Sequence, residues 1–376
     1  MTNSGRSIVF RADSSLEIGS GHVMRCLTLA DELKRRGASC HFICREHQGH
    51  MIGHISSRQH QVHVLPIKSV LEESAEVSAV HDLAHAHWLG SSLDQDASEC
   101  VTILEAIQPD WLVVDHYALD AKWELLLKPY YRKLLVIDDL ADRFHSCDVL
   151  LDQTYGRSAK DYEAWVPDAC QRLCGSEYAL LRPEFSNLRP YSLKRRENVY
   201  LEKLLITMGG VDKDNVTGQV LFALKDSDLP ENCQITVVMG AKAPWFAEVK
   251  KQAESMNWPT SVRINISDMA QVMAESDLAV GAAGSTSWER CCLGLPTVMI
   301  VLADNQRKAA SLLAQAQAAT VLMPGPDFAT DLKRSIQTIN DDSSYLKKMS
   351  AHAETVTDGT GCQLLADLLD KLDAQT

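Results

Sequence analysis

Residues 7–37 constrain the fold more than any other stretch. Ser7-Ile8-Val9-Phe10 is a short apolar run of strand type, and Val23, Cys26, Leu27, Ala30 and Leu33 recur at helical spacing until Gly37 stops the pattern. Between them lies Arg11-Ala12-Asp13-Ser14-Ser15-Leu16-Glu17-Ile18-Gly19-Ser20-Gly21-His22. A strand, a Gly/Ser loop and a helix starting near His22 are therefore predicted. Gly19 and Gly21 let the backbone turn tightly and approach a ligand. The helix start offers unpaired N–H groups and a positive dipole end, which suit an anion. His22 stands at that mouth, with Asp13 and Glu17 in the loop before it. A histidine that merely caps a helix would give the same local pattern, so the rest of the chain has to decide.

With 376 residues, two domains are the default. The 45% apolar and 23% charged fractions are those of a globular protein, and a net charge of −13 excludes nucleic-acid binding through a broad basic surface. A local anion site remains open. The eleven cysteines form no CxxC pair, and Cys26, Cys40, Cys44, Cys291 and Cys292 fall within apolar periodic runs, so they read as core residues of a reduced protein and not as zinc ligands. The polar N-terminus and the lack of any apolar run near 18 residues lead us to expect a cytoplasmic protein with no membrane partner.

Further strands are predicted at Cys40–Cys44 and Gln61–Leu65, with helices between, the alternation of a helix-covered parallel sheet. The stretch from about 68 to 100 is less regular. Its His81, His85 and His87 raise the question of a metal, but no third partner or HExxH pattern is evident, and it reads as a solvated or substrate-side insertion. Trp111–Val114 is a buried strand ending in Asp115-His116-Tyr117, and Leu134–Ile137 repeats the pattern with Asp138-Asp139. Polar residues just past parallel strands lie where open α/β sheets bind ligands. Asp115, His116 and Tyr117 are thus candidates for the site of His22, although Asp115 alone would also suit a helix cap.

The polar, proline-marked stretch from Leu188 to Leu201 reads as the interdomain linker, dividing the chain into domains 1–190 and 191–376. The alternation then restarts with Lys203–Thr207 and the turn Met208-Gly209-Gly210-Val211-Asp212. Strands follow at Ile235–Met239 and Ser261–Ile264, and Ser267 is the expected N-cap of the next helix. Leu278-Ala279-Val280 runs into Gly281-Ala282-Ala283-Gly284-Ser285-Thr286-Ser287-Trp288-Glu289, and a strand at Val298–Leu302 leads to Asn305-Gln306. A last helix is expected from about Gly359 to Ala374. The two glycine turns are potential phosphate cradles, although neither is a P-loop or a GxGxxG. Glu289 lies one helical turn after Ser285, where a carboxylate can accept hydrogen bonds from both hydroxyls of a ribose.

Gly-Ser-Gly-His after the first strand, Met-Gly-Gly, Ser-Asp-Met-Ala and Gly-Ala-Ala-Gly-Ser-Thr-Ser-Trp-Glu together resemble the glycosyltransferase B architecture, two Rossmann-like α/β domains facing across a cleft. The UDP-GlcNAc-using transferases of peptidoglycan synthesis are near in pattern. Arg11-Ala12-Asp13-Ser14-Ser15 through Arg25, Asp115-His116-Tyr117, Asp138-Asp139 and the Gly284–Gln306 region are similar to a hydrolase family on that fold, the UDP-2,4-diacetamido-2,4,6-trideoxy-β-L-altropyranose hydrolases of pseudaminic acid biosynthesis. The resemblance runs from about Ile8 to Gln306.

That resemblance implies hydrolysis of the sugar–UDP bond with inversion, without metal or cofactor, with His22 activating water. It implies sugar contacts from Asp13, Gly21, Tyr117, Asn305 and Gln306. UDP would be held by Gly209, Gly210, Gly284 and Ser285 at the diphosphate, by Met269 at the uracil and by Glu289 at the ribose. Asp13 is expected either to orient the imidazole or to meet the sugar, and Tyr117 to place the sugar or the water. The expected partner is a small nucleotide-sugar. Two alternatives stay open: a transferase of the same fold acting on an acceptor hydroxyl, and a nucleotide-sugar sensor without turnover.

Overall fold

Seven parallel strands form the first sheet: β1 (Ser7–Ala12), β2 (Ser39–Arg45), β3 (Gln61–Leu65), β4 (Trp111–Asp115), β5 (Lys133–Ile137), β6 (Val149–Asp152) and β7 (Gln171–Cys174), in the order β3-β2-β1-β4-β5-β6-β7. The computed structural model describes residues 5–67, 83–198, 200–240, 243–342 and 344–375. His81 and the first half of the 68–100 stretch lie outside them. At the centre of the sheet, Phe10 sits opposite Phe42 on one side and Val113 on the other, and the two phenyl rings stack 4.8 Å apart. Successive side chains of β1 point to opposite faces. Ile8, Phe10 and Ala12 join Val23, Cys26, Leu27 and Leu33 of the helix Gly21–Arg35, whereas Val9 joins Leu93, Ala97 and Leu104 of the helix Leu93–Ile107. Burial on both faces is why these strands read as unbroken apolar runs.

The second sheet has six parallel strands: β8 (Lys203–Thr207), β9 (Gln234–Met239), β10 (Thr260–Ile264), β11 (Leu278–Ala282), β12 (Thr297–Ile300) and β13 (Thr320–Leu322), in the order β10-β9-β8-β11-β12-β13. Each sheet therefore steps outward from its first strand and then reverses, the doubly wound pattern. β7 and β13 escape the sequence reading because both are edge strands, only part-buried, with no continuous apolar run.

The chain divides into two compact units, Met1–Leu180 with Cys362–Thr376, and Leu181–Gly361. This corrects the expected boundary at 190/191 in two ways. The expected linker is largely a helix, Pro183–Arg195, with proline at its first position where no N–H is needed. It is stitched into the second unit by Ser192 Oγ, which donates to the Leu293 carbonyl, and by Arg189, which donates to those of Cys292, Thr357 and Glu354. Its basic residues serve carbonyls and helix ends, which gave the stretch its linker-like composition. The last helix, Gly361–Ala374, belongs to the first unit: Leu365, Ala366 and Leu369 are buried with Ile8 and Phe10.

Candidate active site

In the first sheet the reversal falls between β1 and β4, so the loops leaving their C-terminal ends diverge and open a crevice. The loop after β1 leads into the helix Gly21–Arg35, whose N-cap Ser20 makes no side-chain cap bond and whose first turn carries no acid. Gly21 and His22 are its first two residues. His22 Nδ1 lies 2.6 Å from Asp115 Oδ1. Arg25, on the same helix face, donates from Nε to Asp115 Oδ2 and from Nη2 to Oδ1, at 2.6 and 2.7 Å. Its Nη1 donates to Asp139 Oδ2 at 2.6 Å, and Tyr117 donates its hydroxyl to the same oxygen at 2.9 Å.

This network sets the protonation of the site. Burial alone would raise the Asp115 carboxyl, but the Arg25 guanidinium, with His22 beside it, holds it well below the usual carboxylate range. An ionised Asp115 only accepts, so the hydrogen bond assigns the proton to His22 Nδ1. Nε2 then carries the lone pair, and among the described residues it has no hydrogen-bond partner. The histidine is 8% exposed. An imidazole oriented by a buried carboxylate with its other nitrogen open has the arrangement a general base requires.

Asp115 is thus the residue that orients the imidazole. The next helix, Ala121–Leu127, is capped by Asp120, which accepts from Lys122 N and Trp123 N. Asp13 is engaged elsewhere: its Oδ1 accepts from Arg45 N at 2.7 Å and faces Arg11 Nη1 at 2.7 Å, while its Oδ2 lies 3.2 Å from His116 Nε2. His116 Nδ1 accepts from Ala118 N, which leaves the proton on Nε2, toward Asp13. Burial opposes ionisation of Asp13, yet the Arg11 guanidinium, with the His116 and His47 rings beside its second oxygen, holds its carboxyl well below the ordinary range. Asp13 is a strut for the loop. With Ser14 Oγ accepting from Met51 N and Leu16 N donating to Gln48 O, it ties residues 13–16 to residues 45–51.

Tyr117 presents its ring to His22, centroids 4.6 Å apart and nearly perpendicular. Burial and then Asp139 raise its phenol well above the usual value, and its proton is already given to Asp139. Its hydroxyl is therefore committed, and the ring is what it offers at the base. Sequence reasoning gave Arg25 and Asp139 no role. The signal for Arg25 was its place three residues after His22, one turn along the same helix.

In the second sheet the reversal falls between β8 and β11, and each is followed by one of the glycine turns. After β8, Gly209 and Gly210 are exposed. A side chain on Gly240 would come within 1.9 Å of the Gly210 carbonyl oxygen, so only glycine lets β9 end this close to the turn. The following helix, Val216–Leu224, is already served: Asp212 accepts from Val216 N and Thr217 N, and Asn215 accepts from Gly218 N. A carboxylate at that start disfavours a second anion there, so this turn can offer a ligand only its glycine backbone.

The turn after β11 has the opposite character. Its helix, Thr286–Cys292, begins at Ser285 with no side-chain cap bond. Beneath the turn lies Arg290, 1% exposed, donating to the Ala282 carbonyl and to the hydroxyls of Thr286 and Ser287. Burial lowers its guanidinium to about 10, and among the described residues no carboxylate pairs with it. A buried cation that feels the nearby Glu289 charge but has no carboxylate in direct contact favours an anion above the glycine turn. Ser285 is exposed and Glu289 follows one turn later, its carboxyl raised by burial, with Arg182 Nη2 4.0 Å away. Gly284 borders Gln306, whose Oε1 accepts from Leu302 N. Asn305 is exposed on the short helical turn Asp304–Gln306. Met269 opens the helix Met269–Glu275, whose N-cap is Asp268 and not the expected Ser267. The structure thus brings Gly284, Ser285 and Gln306 together with Glu289, sets Asn305 next to Gln306 on the same short turn, and places Gly209, Gly210 and Met269 on other elements of the unit.

Among the described residues no group of three or more His, Cys, Asp or Glu side chains could hold a metal ion. His87 pairs with Glu17 and His85 packs on Trp88 and Tyr117. No helix among them is long and apolar enough to cross a membrane. All eleven cysteines are free thiols, buried except Cys174.

Residues 204–361 match the Glycosyltransferase family 28 C-terminal domain. The chain is 28% identical, over 82% of its length and 96% of that protein, to the UDP-2,4-diacetamido-2,4,6-trideoxy-β-L-altropyranose hydrolase of Campylobacter jejuni subsp. jejuni. It is 33% identical, over 44% of its length and 38% of that protein, to the UDP-N-acetylglucosamine–N-acetylmuramyl-(pentapeptide) pyrophosphoryl-undecaprenol N-acetylglucosamine transferase of Xanthomonas oryzae pv. oryzae. Among solved structures, MurG of Acinetobacter baumannii is similar with a TM-score of 0.69, covering 97% of this chain and 99% of that one at 16% identity. This last likeness is one of fold, and with the two doubly wound sheets it gives the glycosyltransferase B class.

Proposed function

We propose that this protein is a UDP-sugar hydrolase that releases UDP and free sugar from UDP-2,4-diacetamido-2,4,6-trideoxy-β-L-altropyranose, as in pseudaminic acid biosynthesis. The observation that carries the chemistry is the His22–Asp115 pair, with Nδ1 held and Nε2 open. The sugar is taken from the name of the Campylobacter relative, similar over most of both chains.

In the reaction, His22 Nε2 takes a proton from water as the water oxygen bonds to the anomeric carbon. The bond from that carbon to the diphosphate oxygen breaks, and UDP leaves with its electron pair. Asp115 stabilises the imidazolium that forms, a role its Arg25 clamp preserves by keeping it ionised. One displacement from the face opposite UDP inverts the anomeric centre. UDP is a good leaving group, so the step needs no metal ion in this reading. The Gly284–Ser285 turn over Arg290 receives the diphosphate and Glu289 the ribose. Gly209, Gly210 and Met269 complete the nucleotide contacts, with Met269 at the uracil. Asn305 and Gln306 reach the sugar, as does Gly21 beside His22.

The test is incubation with the UDP-sugar and no acceptor. Release of UDP with free sugar, and a proton NMR spectrum showing the opposite anomer first, are expected. UDP release that depends on an added acceptor hydroxyl would make the protein a transferase, and binding without release would make it a sensor.

A further inference from the structure

Trp88 lies on a one-turn helix, Ala86–Leu89, in a segment that the proposed reaction does not use. The segment is seated in the first unit at three points. Leu89 is buried, His87 Nε2 lies 2.9 Å from Glu17 Oε1, and Gly90 passes so close to His47 that an added side chain would come within 2.6 Å of its ring. This places the Trp88 indole against the ring of Tyr117, near parallel with centroids 5.6 Å apart, and steeply inclined to the His22 ring at 6.3 Å. His85 closes the group, 4.4 Å from Trp88 and 5.4 Å from Tyr117, and burial lowers its pKa, favouring an uncharged ring.

Four other tryptophans spend their polar end inside the fold. Trp111, Trp123, Trp245 and Trp258 each donate the indole N–H to a partner in the fold. Trp88 is only half-buried, and among the described residues its N–H has no partner. Beside the base, then, stands an aromatic wall with one unspent donor. An apolar surface with few placed polar groups is how a pocket selects a small ligand.

We propose that Trp88 is a specificity-determining residue for the sugar, forming with His85 and Tyr117 the wall that takes acetamido methyl and C6 methyl groups, its N–H reading an acetamido carbonyl. This rests on the hydrolase reading above. A fully hydroxylated hexose would leave its hydroxyls against this wall without partners, which binding penalises.

The experiment measures kcat and KM for the wild type, Trp88→Ala and Trp88→Phe on UDP-2,4-diacetamido-2,4,6-trideoxy-β-L-altropyranose and on UDP-glucose, with UDP affinity followed by calorimetry. For Trp88→Ala we expect KM for the diacetamido substrate to rise by roughly 10- to 100-fold, the scale of one or two apolar groups in a pocket. The kcat should fall less, UDP affinity should hold, and preference over UDP-glucose should shrink. Trp88→Phe should restore part of the KM, since it keeps the wall and loses the donor. Unchanged KM and preference in both variants would overturn the proposal. So would equal losses on both substrates in Trp88→Phe, which would mark a purely structural residue. A wild type that hydrolyses no UDP-sugar would instead overturn the functional reading itself.

Discussion

The Nδ1 atom of His22 and the Oδ1 atom of Asp115 lie 2.6 Å apart, joining the first turn of a helix to the last residue of a neighbouring strand. Because Arg25 grips both oxygens of the same carboxylate, Asp115 cannot rotate away or take up a proton near neutral pH. We expect His22→Asn to lower kcat by roughly 10² to 10⁴, with a smaller change in KM. Asp115→Asn should approach the same loss, since an amide that accepts from Arg25 turns its N–H₂ toward the imidazole and forces the wrong tautomer. Steady-state kinetics on the cleavable UDP-sugar check both. Near-normal kcat in His22→Asn would reduce the histidine to a cap.

Glu289 is the expected ribose contact. Glu289→Ala should weaken UDP binding by about 1.5–3 kcal/mol, the scale of a hydrogen bond to a charged group. Calorimetry with UDP reads this directly, and unchanged affinity would remove the assignment.

Asp13 makes a prediction about acid stability. Its folded carboxyl is held well below the usual value, so the native state keeps it ionised while the unfolded chain takes up a proton near the ordinary value of about 4. Its contribution is thus fully present above that pH and is lost as pH falls below it, toward the folded value. Urea unfolding at several pH values should show wild type and Asp13→Asn differing by a constant amount at neutral pH and converging in acid. A gap that widened on acidification would have the wrong sign.

The proposed chemistry meets the leaving charge with the Gly284–Ser285 turn over Arg290. Treatment with EDTA should leave turnover undiminished. Loss of activity on chelation, restored by magnesium or zinc, would overturn that part of the mechanism.

Much of the fold was legible because a doubly wound sheet buries its central strands on both faces, and β1, β4, β5, β8 and β11 announce themselves as apolar runs. Edge strands such as Gln171–Cys174 lack that signature. The base candidate was legible too, since His22 stands at a strand–loop–helix junction. Its partner was not: Asp13 and Asp115 both lie at strand ends in that crevice, and sequence spacing carries no information on which carboxylate faces the ring. The choice is made in three dimensions, where Arg11 and His116 claim Asp13 and leave Asp115 to Arg25 and His22. The linker was misread because arginines that satisfy helix-end carbonyls look, in sequence, like solvated charge.

The final helix has a consequence for synthesis of the chain. Leu365, Ala366 and Leu369 fill the core behind β1, Arg6 pairs with Asp370 and Asp373, and Trp111 donates to Asp373. The first 180 residues therefore leave the ribosome with part of their apolar interior uncovered, and wait for the whole second unit to be made before the covering helix arrives. Translation order thus favours completion of the second unit before the first. A protein cut after Gly361 should keep a foldable second unit and lose the first, the reverse of what removing a C-terminal segment does to a chain whose domains follow one another.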